Sequence, residues 1–166
     1  MDIRRLTPSE IPLLTELFPY RAPGEMIAAC TRDLKSGKIE IFGLFDGSLL
    51  IGELRVMLEN EDPRFAVRGL RAYLYAFRIR EAYRGKGCGR ALLTTVLESL
   101  ERDGYRAFTI GVEDDNAIAL HLYHALGFCE FVLRKEEEYQ GDRFTFSLLE
   151  RRLPPASSLA DGGDPN

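Results

Sequence analysis

Residues 83–93 read YRGKGCGRALL, with three glycines and three cations between two apolar patterns. Before them runs YLYAFRI, residues 73–79, which reads as a strand. After them Leu92, Leu93, Val96, Leu97 and Leu100 recur at helical spacing and make one apolar stripe. Successive backbone N–H groups in a glycine-rich turn form a concave nest, and the helix that follows adds roughly half a positive charge at its start. Such a junction binds phosphate without a dedicated side chain. Arg84, Lys86 and Arg90 add charge at its rim. A flexible linker with solvated cations has no reason to feed straight into an amphipathic helix, so the stretch predicts a site for a phosphate-bearing ligand.

Two common phosphate motifs do not fit. A Walker A loop needs Gly-Lys followed by Ser or Thr, and here Lys86 is followed by Gly87. A dinucleotide fingerprint started at Gly85 and Gly87 fails at Arg90, where the third glycine belongs. Glu113 ends the next strand where a ribose-binding acid sits in that motif, which leaves a nicotinamide-dependent oxidoreductase on a parallel sheet open as an alternative. The pattern that does fit is R-x-x-G-x-G, as Arg84, Gly87 and Gly89.

Outward from the loop, the chain of 166 residues is of a size for one domain with a real core. Its net charge is −4, so a basic loop in it is local; no nucleic-acid or membrane partner is expected. Cys30, Cys88 and Cys129 are scattered without CxxC spacing, which argues against a disulfide framework or zinc site and predicts a reducing cytoplasm. The N-terminal MDIRRLTPSE has no apolar signal core, and no apolar run approaches a membrane span.

Ile3 to Leu6 reads as a short strand, and Thr7-Pro8-Ser9-Glu10 as a capping box opening a helix. A second helix is expected from Gly24 to Lys35. IEIFGLF, a turn at Asp46-Gly47, and LLIGELRVML make a hairpin, with residues 70–80 as the third strand of a meander. After the loop and its helix come a strand over Tyr105 to Val112, a helix capped within Asp114, Asp115 and Asn116, and a hairpin of Phe128 to Tyr139 with Arg143 to Leu149. The order β-α-α-β-β-β-α-β-α-β-β predicts an α/β (α+β) domain around one mixed, mostly antiparallel sheet flanked by helices, over residues 1–152. The tail 153–166 has no core-forming pattern and is expected to be disordered.

The glycine motif in this setting, with N-x-x-A-x-x-x-Y and then G-F (Asn116, Ala119, Tyr123, Gly127, Phe128), resembles the GNAT superfamily of acetyl-CoA-dependent N-acetyltransferases. The resemblance covers roughly residues 1–150. It implies that Arg84, Gly85, Lys86, Gly87, Cys88, Gly89 and Arg90 hold the coenzyme A pyrophosphate. It implies that the pantetheine arm pairs with the fourth-strand backbone at Phe77, Arg78 and Ile79, where the fourth and fifth strands splay. It places Asn116 at the pantetheine and the Tyr123 hydroxyl near the sulfur, as proton donor to the leaving thiolate. Asn116 and Tyr123 lie on nearly the same helix face, roughly 10 Å apart along the axis. From the residues alone, Asn116 is a helix cap and Tyr123 a core aromatic beside Ala119, Leu122 and Leu126.

The implied reaction is direct attack of a primary amine on the thioester of acetyl-CoA, without metal. His121 and His124 show no further ligand cluster and read as surface residues. Cys88 reads as a small loop residue. The base is not visible. Family members that acetylate protein N-termini carry a glutamate five residues before the asparagine, and that position is Gly111. Tyr73 to Arg80 holds no acid, Glu113 reads as a solvated strand end, and Glu53 as a sheet-surface charge. A non-catalytic acyl-CoA-binding sensor or assembly module with the same fold is therefore the second reading. A monomer or homodimer is expected, and the acceptor is not legible.

Overall fold

The fold is that of a computed structural model, which describes residues 1–154. Seven strands form one sheet in the order β1-β2-β3-β4-β5-β7-β6. β1 (Asp2–Arg5), β2 (Ile39–Asp46), β3 (Leu49–Met57) and β4 (Arg71–Ile79) form an antiparallel meander. β5 (Ala107–Glu113) lies parallel to β4, and β7 (Asp142–Arg152) is inserted antiparallel between β5 and β6 (Glu130–Tyr139). One parallel contact in a mostly antiparallel sheet overturns the dinucleotide-fold alternative. The sequence places every one of these strands, with edges that shift by a few residues. The first hairpin turns at Gly47-Ser48 rather than Asp46-Gly47, because Asp46 still pairs with Leu49. The tail expected to be disordered lies outside the described residues from 155 on; before it, the Leu153 N–H donates to the Arg106 carbonyl at 2.8 Å.

The helices divide the core. α2 (Cys88–Arg102) and α3 (Ala117–Ala125) cover one face, where Leu92, Leu93, Val96 and Leu100 meet Leu54, Leu74 and Phe108. α1 (Pro23–Lys35) and a 3₁₀ helix over Pro8–Glu16 cover the other, around Ile11, Leu14, Ile41 and Leu50. The capping box at Thr7 and Glu10 forms as expected, but Pro12 inside the segment lacks an N–H, and the chain winds as 3₁₀ rather than α. A smaller cluster of Phe65, Phe146 and Leu148 lies under the last hairpin. No helix among the described residues is long and apolar enough to cross a membrane.

Two departures from regularity position the site. β4 and β5 pair only at Arg71–Leu74 with Ala107–Ile110, and past Leu74 they diverge. Within β4, Ala76 adopts φ 50, and the β3–β4 register shifts between Glu53 and Arg55. That is a β-bulge, which re-aims side chains beside it. Glu53 lies opposite Arg78, and Arg55 opposite Tyr75. One extra residue thus puts Tyr75 and Arg78 on the same face although they are three apart.

Candidate active site

The divergence of β4 from β5 opens a cavity of about 380 Å³. It is lined from one face of the sheet by Tyr20, Arg55, Tyr73, Tyr75, Arg78 and Phe146, and from the other by Phe77, Asn116, Ala119 and Tyr123. It therefore runs through the sheet. Two reactants entering from opposite faces meet there.

On the helical face, the glycine loop follows a single 3₁₀ turn, Glu81–Tyr83, at the end of β4. Gly85 and Gly87 take φ of 71 and 83, where a side chain is strained. Gly87 is the N-cap of the 15-residue α2, no side chain caps that end, and its first turn holds no acid. Its first N–H groups lack intrahelical carbonyls, so the helix presents its positive end to solvent. Arg84 donates from Nε to the Ile79 carbonyl at 2.9 Å, tying the loop to the end of β4, and Lys86 lies over the Tyr83 ring. Arg84, Lys86 and Arg90 are exposed. Gly89 does not take a positive φ. A Cβ there would stand 3.3 Å from the Phe77 ring, so its smallness lets α2 approach β4. Cys88 is not a loop residue: it is the first residue of α2, buried, with its Sγ 3.9 Å from the Met1 sulfur.

α3 contributes Asn116 and Tyr123. The Asn116 side-chain oxygen accepts the Ala119 N–H at 3.1 Å and so caps the helix, while the residue also lines the cavity. Tyr123 is buried against Phe77 and Phe128, with ring centroids 6.4 and 6.1 Å away. Burial pushes its hydroxyl up to about 12, so it is protonated at neutral pH. It is at once a core aromatic and a cavity residue. Phe77, Arg78 and Ile79 all lie in the stretch of β4 that has left β5, so no strand pairs with that edge, although the Ile79 carbonyl is taken by Arg84 Nε.

The opposite wall holds what the sequence reading missed. Glu53 is not a surface charge; it is 0% exposed. Its Oε2 accepts from Arg55 Nε at 2.9 Å and its Oε1 from Arg78 Nη1 at 2.8 Å. The Tyr20 hydroxyl accepts from Arg55 Nη2 at 2.6 Å and Arg78 Nη1 at 2.9 Å. The signal was in LLIGELRVML: Glu53 and Arg55 sit two apart on one face of a central strand whose other residues are apolar. A charge there has to be paired. At Gly111 a Cβ would stand 3.0 Å from the Phe146 ring, so that aromatic fills the space a side chain would take. Glu113 and Glu137 line the cavity rim, Glu137 paired with Lys135. His121 and His124 are exposed, and no group of His, Cys, Asp or Glu among the described residues is arranged to hold a metal.

The model of the Acetyltransferase (GNAT) family matches residues 10–128. The chain belongs to the GNAT acetyltransferase family. Within that family it is 36% identical over 64 residues to the [ribosomal protein bS18]-alanine N-acetyltransferase of Escherichia coli, which covers 39% of this chain and 43% of that one. It is 38% identical over 50 residues to the L-methionine sulfoximine/L-methionine sulfone acetyltransferase of Salmonella typhimurium, 30% of this chain and 29% of that one. The chain thus spans less than half the length of these curated relatives. Among solved GNAT structures, the ribosomal-protein-alanine N-acetyltransferase of Brucella melitensis superposes with a TM-score of 0.73 at 17% identity, over 92% of this chain and 100% of that one. A Salmonella typhimurium structure solved with its cofactor acetyl-CoA gives 0.68 at 18% identity, over 99% and 97%. At such identities the likeness is one of fold.

Proposed function

We propose that this GNAT protein is an N-acetyltransferase that moves acetyl from acetyl-CoA to a primary amine by direct attack. The observation that carries the reading is the cavity through the splayed sheet, with an uncapped, cation-rimmed helix start on one side and a polar wall on the other. Arg84, Lys86, Arg90 and the backbone of residues 85–90 would hold the pyrophosphate. The free edge of β4 at Phe77, Arg78 and Ile79 would pair with the pantetheine arm, beside Asn116. An amide of that edge aimed at the thioester oxygen would stabilise the charge that develops as the amine attacks.

Tyr123 is the group at the leaving sulfur. Burial keeps its hydroxyl protonated, and it would pass that proton to the departing thiolate, with solvent restoring it. Glu53 is not the base, since both its oxygens accept guanidinium protons. The acceptor's proton leaves through solvent at the rim.

Calorimetry with acetyl-CoA, followed by a screen for free CoA thiol across primary amines, tests this. Saturable binding with amine-dependent thiol release is the expected result. Tight binding with no release for any amine would make the protein an acyl-CoA-binding module, a reading favoured by the fact that both buried carboxylates among the described residues, Glu53 and Glu150, are paired with arginines.

A further inference from the structure

The polar wall of the cavity has one chemical character, and it defines the acceptor. Tyr20 Oη accepts from two guanidinium groups, which use its lone pairs. Its own O–H has no acceptor among the described residues. Arg78 spends only Nη1 on Tyr20 and Glu53. Its Nε–H and Nη2–H edge has no acceptor among the described residues, and the guanidinium carbon lies over the Phe18 ring, 4.0 Å from its centroid. Glu53 is fully buried behind the lining, and each of its oxygens already accepts from a guanidinium. The free valences of Tyr20 and Arg78 are thus donors, while Glu137, at the rim, is paired with Lys135. A flat guanidinium with its side edge free is the geometry that takes a carboxylate through two parallel hydrogen bonds.

We propose that the acceptor is a small amine that also carries a carboxylate, an α-amino acid or close analogue, bound by Arg78 and Tyr20. The chamber fits a small molecule. The turn of the last hairpin closes over it, with the Arg21 N–H donating to Gln140 Oε1 at 2.8 Å and Phe18 6.2 Å from Tyr139. Tyr73 and Tyr75, stacked 5.5 Å apart, give it an aromatic side. Arg55 and Glu53 are positioning residues: they fix Arg78 and Tyr20 and touch no ligand. The proposal rests on the acetyltransferase reading for the ligand's role as acceptor, and its recognition chemistry rests on this wall alone.

The test compares matched pairs that differ by the carboxylate: L-phenylalanine against phenethylamine, L-leucine against 3-methylbutylamine, and L-lysine against 1,5-diaminopentane. Each is titrated calorimetrically into protein with and without saturating CoA, and each is assayed for acetylation. The acid of at least one pair should bind about tenfold or more tighter than its amine. Tyr20→Phe and Arg78→Lys should both narrow that gap; the lysine keeps the charge beside Glu53 but loses the planar fork. The CoA affinity of Tyr20→Phe should stay near wild type. If amines bind as well as acids in every pair, or none of the six binds, the proposal is overturned. A peptide with a free N-terminal alanine that outcompetes all the acids also overturns it. Acid-selective binding without acetylation would keep this site and sink the acetyltransferase reading instead.

Discussion

Tyr123 belongs to the core and to the cavity, and those two roles separate under one substitution. Tyr123→Phe keeps the ring against Phe77 and Phe128 and removes only the hydroxyl. Stability and the KM for acetyl-CoA should change little, while kcat falls by roughly a hundredfold, the low end of what a transition-state proton donor supplies. Steady-state kinetics with an accepted amine measures it, and an unchanged kcat makes Tyr123 a packing residue. A second expectation follows from the engaged oxygens of Glu53. With no protein base, kcat/KM should rise with pH and level off only at the acceptor's own amine pKa; a plateau near neutrality, the same for every acceptor, would reveal a base in the protein. The spacing of Asn116 and Tyr123 made their shared face legible, and the role of Tyr123 at the sulfur came only from the family resemblance. Tyr20 and the side chain of Arg78 were not legible, because what gives them meaning is a contact: Tyr20 meets a strand residue 58 positions away, and a bulge turns Arg78 to its face.

At the scale of elements, the glycine loop separates backbone from side-chain effects. Gly87 stands in the left-handed region with open space where a Cβ would go, and Gly89 in ordinary helical backbone with a ring 3.3 Å from that point. Gly87→Val strains the turn by about 1–2 kcal/mol and moves the amides that face the phosphates. CoA affinity should fall about tenfold or more, with a smaller loss of melting temperature. Gly89→Val should do the reverse, pushing α2 off Phe77 and lowering stability first. Calorimetry and thermal melts on both variants decide; equal profiles would mean the loop has no conformation of its own. The N-terminal 3₁₀ helix makes a pH prediction. Glu10 accepts from Arg4 and from the Thr7 N–H, and these bonds, the Arg4 one foremost, pull its carboxyl from about 4.5 to about 2. Its pKa is depressed by folding, so its contribution is full above about 4.5 and is lost as pH falls toward 2. Glu10→Gln should cost about 1 kcal/mol at pH 7, a cost that shrinks below about pH 4.5 and vanishes only once pH has fallen through about 2. The sequence showed this cap because it is local. It did not show the 3₁₀ winding, which Pro12 imposes only once a helix has begun.

Across the whole molecule, the opening that makes the cavity is also the weak seam of the sheet. The halves β1–β4 and β5–β7–β6 share only four paired positions, so something else has to hold them. Glu150, 2% exposed, reaches from β7 across β5 to accept from Arg71 Nε at the start of β4, 2.6 Å away, and is also paired with Arg152. Thr109 Oγ1 adds a bond to the Phe65 carbonyl at 2.7 Å. Both contacts lie at the closed end of the seam. Neither was legible: Arg71 and Glu150 are 79 residues apart, and a chain read element by element predicts the strands and not which gap between them stays open. Removing one partner of a buried ion pair leaves the other charge uncompensated. Glu150→Gln should therefore cost about 3 kcal/mol, and the melting temperature should drop by roughly 6–12 °C. Because Arg71 and Leu74 bracket the only paired stretch, amides of β4 and β5 should lose hydrogen-exchange protection before those of β2 and β3. The cavity should also widen at its base, so acetyl-CoA should bind more weakly although residue 150 touches no ligand. Exchange measured by mass spectrometry would sink this account if protection fell evenly across all seven strands, for then Glu150 would stabilise the fold as a whole and not the seam.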